Sequence, residues 1–446
     1  MTDAPAETPP HHDMEAPRGG HLIWLACLAP LVGAASGLIC AGFLLALRAA
    51  EQVRVSAIAA ARPLGAFGPV PVILGAAVAV AAAAWMVRRI SPHATGSGIP
   101  HVEAVIEGDI PPAPARLLVV KFVGGVFAIG AGLALGREGP SVQMGAGIAH
   151  LVGRAFRRGW EDCRVLIAAG AGAGLATAFN APIAGAVFVL EELVRRFEPR
   201  IAIVVLAATA SAMAVARALL GDAPEFHVPT VDYSDPLLPL IYGVFGLIAG
   251  LAAILHNRAI LGAMALAGRM RGLSVEMRAG IIGALAGALA WYAPELVGGG
   301  GEIAQAALIG QTSLAAIPLL LVARMLLGSA SYAVGTPGGL FAPMLALGAL
   351  LGLGVGQLFA MALPSLGLSP EGFAVVGMAA LFCGVVRAPI TGIVLVTEMT
   401  GSVAPLLPML GACFTAMLVP TLLGQPPIYE SLRAGTLRRE AEMRGG

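Results

Sequence analysis

The chain has 446 residues, 58% of them hydrophobic and 12% charged, with a formal net charge of +1 and a mean hydropathy of +0.85. Soluble domains carry about 25% charged residues, so this composition sets aside an ordinary soluble protein and calls for a multi-pass membrane protein. Long Ala/Leu/Gly-rich runs in place of short alternating segments point to helices rather than a β-barrel, and no clustered basic surface suggests nucleic acid.

In chain order, residues 1–20 are polar and Pro-rich and read as a disordered tail, with His11, His12 and Asp13 the solvated residues of that tail rather than a metal site. No cleavable signal peptide is expected, because the first apolar run, His21 to Leu47, has the length of a mature span. Pro69 to Val87 is the next, closed by Arg88 and Arg89. Arg154, Arg157, Arg158 and Arg164 form a basic connection that the positive-inside tendency places in the cytoplasm. Leu166 to Asn180 follows, and its Gly170, Gly172 and Gly174 serve close helix packing, since no strand precedes them as a dinucleotide-binding turn would need. Judged locally, Glu191-Glu192 beside Arg195, Arg196 and Arg200 is a solvated interfacial cluster. Ile201 to Leu220 is a span, and the polar, Pro-containing stretch 221–236 is the linker between two halves. Further spans run over Leu237–Ile260, Met277–Tyr292, Ile317–Tyr332, Met344–Leu363, Phe373–Val386, Ile390–Met399 and Leu406–Leu423, and Gly298 to Gly301 is a turn rather than a phosphate cradle. The division is thus 1–20 tail, 21–220 first helical half, 221–236 linker, 237–424 second half and 425–446 a C-terminal segment containing Tyr429. Cys27, Cys40, Cys163, Cys383 and Cys413 are scattered and imply neither disulfides nor a metal site, and no cofactor motif is present.

Three glycine-rich breaks interrupt the spans and carry the chemistry. Gly136-Arg137-Glu138-Gly139-Pro140 sets two charges between apolar runs. A charge at membrane depth costs roughly 3 kcal/mol on insertion scales, so Glu138 marks a functional pathway. Its glycines permit a sharp break, and Pro140 fits the opening of a new helix, whose N-terminus gathers unpaired N–H groups and favours an anion. Gly96-Ser97-Gly98-Ile99-Pro100 and Gly335 to Pro343 repeat this grammar, although Gly-Ser-Gly taken alone is also a common turn. The segment Ala181-Pro182-Ile183-x-Gly185-x-Val187-x-Val189-x-Glu191 recurs as Ala388-Pro389-Ile390-x-Gly392-x-Val394-x-Val396-x-Glu398, and Gly136, Pro140 and Gly145 recur as Gly339, Pro343 and Gly348. Two matches in the same order imply duplicated halves, and broken helices at matching positions point to a transporter binding site near the midplane. The duplication alone leaves open whether the halves are parallel or inverted.

With these residues in hand, the chain resembles the CLC chloride channel and transporter family. Gly96-Ser97-Gly98-Ile99-Pro100, Gly136-Arg137-Glu138-Gly139-Pro140 and Gly339-Leu340-Phe341-Ala342-Pro343 match its three anion-site motifs in order, and Pro427-Ile428-Tyr429 matches its late tyrosine, over about residues 22 to 436. The resemblance implies an all-α integral membrane fold of two inverted-topology repeats, with broken and re-entrant helices meeting at a midplane anion site, assembled as a homodimer with one pathway per subunit. It further implies hydroxyl donors to the anion from Ser97 and Tyr429, backbone donors at Leu340 and Phe341, and Gly136, Arg137 and Gly139 within the anion-binding motif. Glu138 becomes the gate and external proton carrier, its carboxylate competing with chloride for the helix N-termini. Glu192 matches the internal proton acceptor, against the local reading of that residue, and favours an exchanger of chloride for protons over the alternative, a passive gated chloride channel. Ser97 is similar to chloride-preferring members. Lys121, Arg137, Arg324 and Arg387 either keep the pathway positive or serve structural pairing.

The expected partners are therefore chloride, protons and the lipid bilayer, with a bacterial inner membrane as the location. The family's large cytoplasmic regulatory domains are not expected, since the sequence stops soon after Tyr429. An enzyme using Glu138 with Glu103 or Glu192 is disfavoured, because no His-Glu-x-x-His pair or Ser-His-Asp set accompanies them.

Overall fold

The computed structural model describes residues 19–231, 233, 236–270 and 272–445, so His11, His12 and Asp13 lie outside the described residues. The fold is all-helical: α1 (Gly19–Ala61), α2 (Pro69–Arg89), α3 (Ile99–Glu107), α4 (Arg116–Gly130), α5 (Glu138–Ala155), α6 (Trp160–Phe179), α7 (Pro182–Phe188), α8 (Pro199–Leu220), α9 (Leu238–Arg269), α10 (Val275–Tyr292), α11 (Gly301–Leu308), α12 (Ile317–Ala333), α13 (Phe341–Ala362), α14 (Pro370–Val386), α15 (Pro389–Thr400), α16 (Leu406–Leu422) and α17 (Ile428–Gly445). Among the described residues the only extended pairings are two isolated bridges, Gly96 with Pro337 and Gly136 with Gly339. Among the described residues, six helices are long and apolar enough to cross a membrane.

The helices sort by burial. In α6, 94% of the apolar window is buried, against 33% in α2 and 39% in α8. A helix apolar on every side belongs at a protein centre, while one with a single packed face belongs against lipid. The central crossings explain the glycine content. A Cβ on Gly145 of α5 would stand 2.1 Å from Gly170 O of α6, and one on Gly348 of α13 would stand 2.3 Å from Gly377 O of α14. Both crossings thus bring a pair of backbones into direct contact, which only small residues allow.

Several boundaries differ from the sequence reading. Helices α5 and α13 begin at Glu138 and Phe341, two residues before Pro140 and Pro343, so each proline sits within the first turn, where a missing N–H costs nothing. Arg154 and Arg164 lie inside α5 and α6, leaving 156–159 as the basic turn. The tetraglycine is a turn, with Gly298 and Gly300 at φ of 71° and 91°. It opens the short helix α11, which the sequence reading lacked, and the C-terminal segment is helical over residues 428–445.

Arg158 of the basic turn lies 5.5 Å from the Trp24 ring centroid near the start of α1. Arg48 to Arg54 come about seven turns later on the same helix, roughly 36 Å away, and so mark the opposite face.

Candidate functional site

The loop preceding α13 gathers the three breaks. Gly96 N–H donates to Thr336 O at 3.2 Å and Gly338 N–H to Gly96 O at 3.1 Å, while Gly136 and Gly339 exchange bonds of 2.8 and 2.6 Å. The starts of α3, α5 and α13 are thereby tied to one place by main-chain bonds that depend on no side chain. Glu138 lies at the junction and is fully buried. Its Oε1 accepts from Phe341 N–H at 2.6 Å, at the first turn of α13. The fit is close: a Cβ on Gly136 or on Gly339 would lie 2.0 Å from a carboxylate oxygen of Glu138, and one on Gly139 would lie 2.5 Å from Ser97 Oγ. A Cβ at Gly136 or Gly339 would thus push on the carboxylate itself, while one at Gly139 would also meet the Ser97 main chain at 2.5 Å.

Phe341 is itself held by rings. Its ring centroid lies 4.7 Å from that of Phe382, 5.8 Å from those of Phe188 and Tyr429, and 6.4 Å from that of Phe179, so α6, α7, α14 and α17 all fix the residue that donates to Glu138. Ser97 and Tyr429 are fully buried, and neither hydroxyl meets hydrogen-bond geometry with a protein group; Glu138 Oε2 is likewise without a donor. The Tyr429 hydroxyl neighbours the Ser97 hydroxyl and lies within electrostatic reach of Glu138. The structure therefore brings Glu138, Ser97, Tyr429, Gly136, Gly139 and Phe341 together. Leu340, buried beside them, forms the α13 N-cap position.

Arg137 departs from this cluster. Its Nε donates to Ala178 O at 3.0 Å and its Nη2 to Glu225 Oε1 at 2.5 Å, on the side away from the basic turn. The other intramembrane cations bind carbonyls. Lys121 Nζ donates to Ala94 O at 3.1 Å and Gly96 O at 2.7 Å, and Arg324 Nη1 to Leu296 O at 2.8 Å and Gly298 O at 2.9 Å. Arg387 reaches Thr421 Oγ1 and Gln425 O, both at 2.6 Å. Each donates to main-chain carbonyls, Arg387 also to a hydroxyl, which favours the structural pairing role for these three, although Arg324 Nε and Nη2 stay without a protein partner.

Glu191 and Glu192 are not a solvated cluster. Glu191 accepts from Ile390 N–H at 3.0 Å and Thr391 N–H at 2.7 Å, capping α15 of the other half. Glu398 does the same in return, accepting from Ile183 N–H at 3.1 Å and Ala184 N–H at 2.7 Å at the start of α7. The repeated Glu of each matching segment thus caps the other segment's helix, a contact across about 200 residues that no local pattern reveals. Glu192 is 5% exposed and lies 3.8 Å from Arg195.

Two cavities reach residues of the three breaks, and another opens at Glu192. One of about 340 Å³, on the Arg48–Arg54 face, is lined by Gly136, Arg137 and Glu225. A second of about 350 Å³ is lined by Glu192, Arg195, Arg387 and Glu430, and a third of about 920 Å³ by Gly96, Gly98, Tyr332 and Ser431. Arg195 joins Glu103 at 2.9 Å, Arg433 of α17 joins Glu103 at 3.5 Å, and the nearby Arg200 meets Asp162 at 2.6 Å, which places the second and third cavities on the basic-turn face.

Helices broken at mid-chain, with their N-termini tied around one buried carboxylate, define a multi-pass membrane protein with its polar centre inside the bilayer. The chain belongs to the voltage-gated chloride channel family, whose profile matches residues 75–421. The H(+)/Cl(-) exchange transporter ClcA of Citrobacter koseri is 37% identical over 419 residues, spanning 92% of this chain and 88% of that protein. Its namesake from Salmonella agona is 36% identical over 420 residues, spanning 93% and 89%. Among solved structures, a slow cyanobacterial Cl−/H+ antiporter aligns with a TM-score of 0.90 at 31% identity, covering 94% of this chain and 99% of that one. A CLC-type fluoride/proton antiporter shares the fold, with a TM-score of 0.77 at 23% identity over 91% of this chain and 97% of that one.

Proposed function

We propose that this protein is a secondary antiporter exchanging chloride for protons across a bacterial inner membrane, with Glu138 as anion gate and external proton carrier. The observation that carries the reading is the seat of Glu138: an anionic group lies on the α13 N-terminus, between Gly136 and Gly339, beside the buried Ser97 and Tyr429 hydroxyls. A site that holds a carboxylate through N–H groups suits a halide for the same reason, with donors but no full counter-charge to trap it. Chloride taking the seat must displace the carboxylate. Protonation removes the charge that holds it there, so one seat couples the two ions.

Glu192 is assigned the internal proton acceptor. It lines a cavity different from the one that reaches Gly96 and Gly98 on the same face, which supports separate routes for proton and anion. A passive channel would need no second buried carboxylate. In this reading Ser97, Tyr429, Leu340 and Phe341, with the Gly136-Arg137 and Gly139 backbone, form the anion site. Residues 21–220 and 237–424 are inverted repeats joined by 221–236, which the exchange of capping carboxylates between Glu191 and Glu398 supports. The basic turn faces the cytoplasm, and the protein works as a homodimer with one pathway per subunit, checked by the mass of the detergent-solubilised particle.

The test is Glu138→Gln in liposomes. Chloride should still cross while proton movement driven by a chloride gradient disappears. Retained proton coupling in this variant removes Glu138 from the mechanism.

A further inference from the structure

Segment 221–231 does more than join two halves. Its backbone is fixed on both sides of Glu225. Asn180 Nδ2 donates to Asp222 O at 3.2 Å and Ala223 O at 2.9 Å. Beyond it, buried Phe226 donates its N–H to Met399 O at 3.0 Å, and the Gln305 side chain brackets the His227 backbone with bonds of 2.9 and 2.8 Å. From this short arch Glu225 reaches Arg137, whose Nε is already committed to Ala178 O. The two side chains stay partly open, at 23% exposure for Arg137 and 31% for Glu225, and both line the cavity that contains Gly136. Two other cations line that cavity, Arg48 and Arg54, the latter held by Glu51 at 2.9 Å and by Gly130 O at 2.9 Å, and Glu295 and Glu302 add negative charge to the walls. Arg137 immediately precedes Glu138, so it is the cation whose field bears most directly on an anion approaching the seat from this face. A carboxylate in contact cancels much of that field at distances beyond the pair.

We propose that Glu225 is a specificity-setting residue of the anion path: it keeps Arg137 in an ion pair at the cavity mouth, and an anion entering from this face competes with its carboxylate for that guanidinium. This rests on the antiporter reading only in requiring that anions enter by the cavity. Removing the carboxylate strengthens anion entry. Planar oxyanions gain more than chloride, because a guanidinium offers a fork that pairs with two oxygens at once.

The test compares wild-type, Glu225→Gln and Glu225→Asp full-length protein in right-side-out and inverted vesicles from a host lacking its own chloride exchanger. Under the orientation above, right-side-out vesicles present the cavity to the medium. There Glu225→Gln should lower the KM for chloride about threefold to fivefold, the scale of a partly exposed ion pair, with the maximal rate within about twofold. The difference should shrink when ionic strength is raised with an impermeant salt. Nitrate should gain relative to chloride, Glu225→Asp should restore the wild-type KM, and inverted vesicles should show no KM change. An equal change on both faces, no change on either, or Glu225→Asp behaving as Glu225→Gln overturns the proposal. Wild-type chloride uptake without protons would refute antiport alone, since the sided KM comparison still decides the role of Glu225; no chloride uptake at all overturns both.

Discussion

Replacing Glu398 with alanine tests how the two repeated Ala-Pro-Ile segments hold each other. Helix α7 opens with Pro182, which has no N–H, and Gly185 N–H is satisfied by Ala181 O at 3.0 Å. Ile183 and Ala184 are the two remaining orphan donors of the first turn, and the Glu398 carboxylate takes both. Hydrogen bonds to a charged group contribute about 1.5–3 kcal/mol each, and water at the more exposed Ile183 donor recovers part of the loss. A net local cost of roughly 2–3 kcal/mol corresponds to about 30- to 150-fold faster amide exchange at Ile183 and Ala184 if the turn opens locally. Hydrogen exchange read by mass spectrometry on peptides covering α7 measures this, with α15, capped by the untouched Glu191, as the internal control. Exchange within twofold of wild type at α7, or equal acceleration in α7 and α15, would refute the reasoning.

Other substitutions follow from the same geometry. Gly339→Ala places a Cβ 2.0 Å from Glu138 Oε1 and should drive the carboxylate from its seat, lowering chloride-coupled proton flux at least tenfold in protein that still elutes as a single folded species. Tyr429→Phe removes one hydroxyl from the buried site and should weaken chloride binding about fivefold to tenfold by calorimetry, the value of one hydrogen bond of about 1 kcal/mol or slightly more. Gly145→Ala meets backbone at 2.1 Å rather than a movable side chain, so it should cost about 1–3 kcal/mol and lower the thermal midpoint in detergent. Arg324→Met leaves Leu296 O and Gly298 O without their donor and should destabilise the protein by roughly 2–4 kcal/mol, with faster exchange concentrated around the tetraglycine turn.

The three breaks were legible because glycine, proline and a charge inside apolar runs have few bland explanations. The duplicated Ala-Pro-Ile-x-Gly segments were legible for the same reason. What escaped the sequence lay in contacts across it. Glu191 looked interfacial because its neighbours in the chain are arginines, whereas its partners are Ile390 and Thr391 in the other half. Glu225 looked like linker polarity until Asn180, Met399 and Gln305 were seen to pin the segment over Arg137. Helix α11 spans only Gly301–Leu308, too short for periodicity to show after a run of glycines. Helices α1 and α9 run past their apolar stretches because helical hydrogen bonding continues into water, where hydropathy gives no signal.

The central claim is tested most directly by proton movement in liposomes containing the purified wild-type protein, loaded with high chloride and diluted into low chloride, with no initial pH gradient and an uncoupler added at the end. The account predicts that outward chloride flow drives protons inward against the gradient they build, and that the uncoupler then collapses it. Chloride leaving with no accompanying proton movement would contradict antiport and return Glu192 to a structural acid.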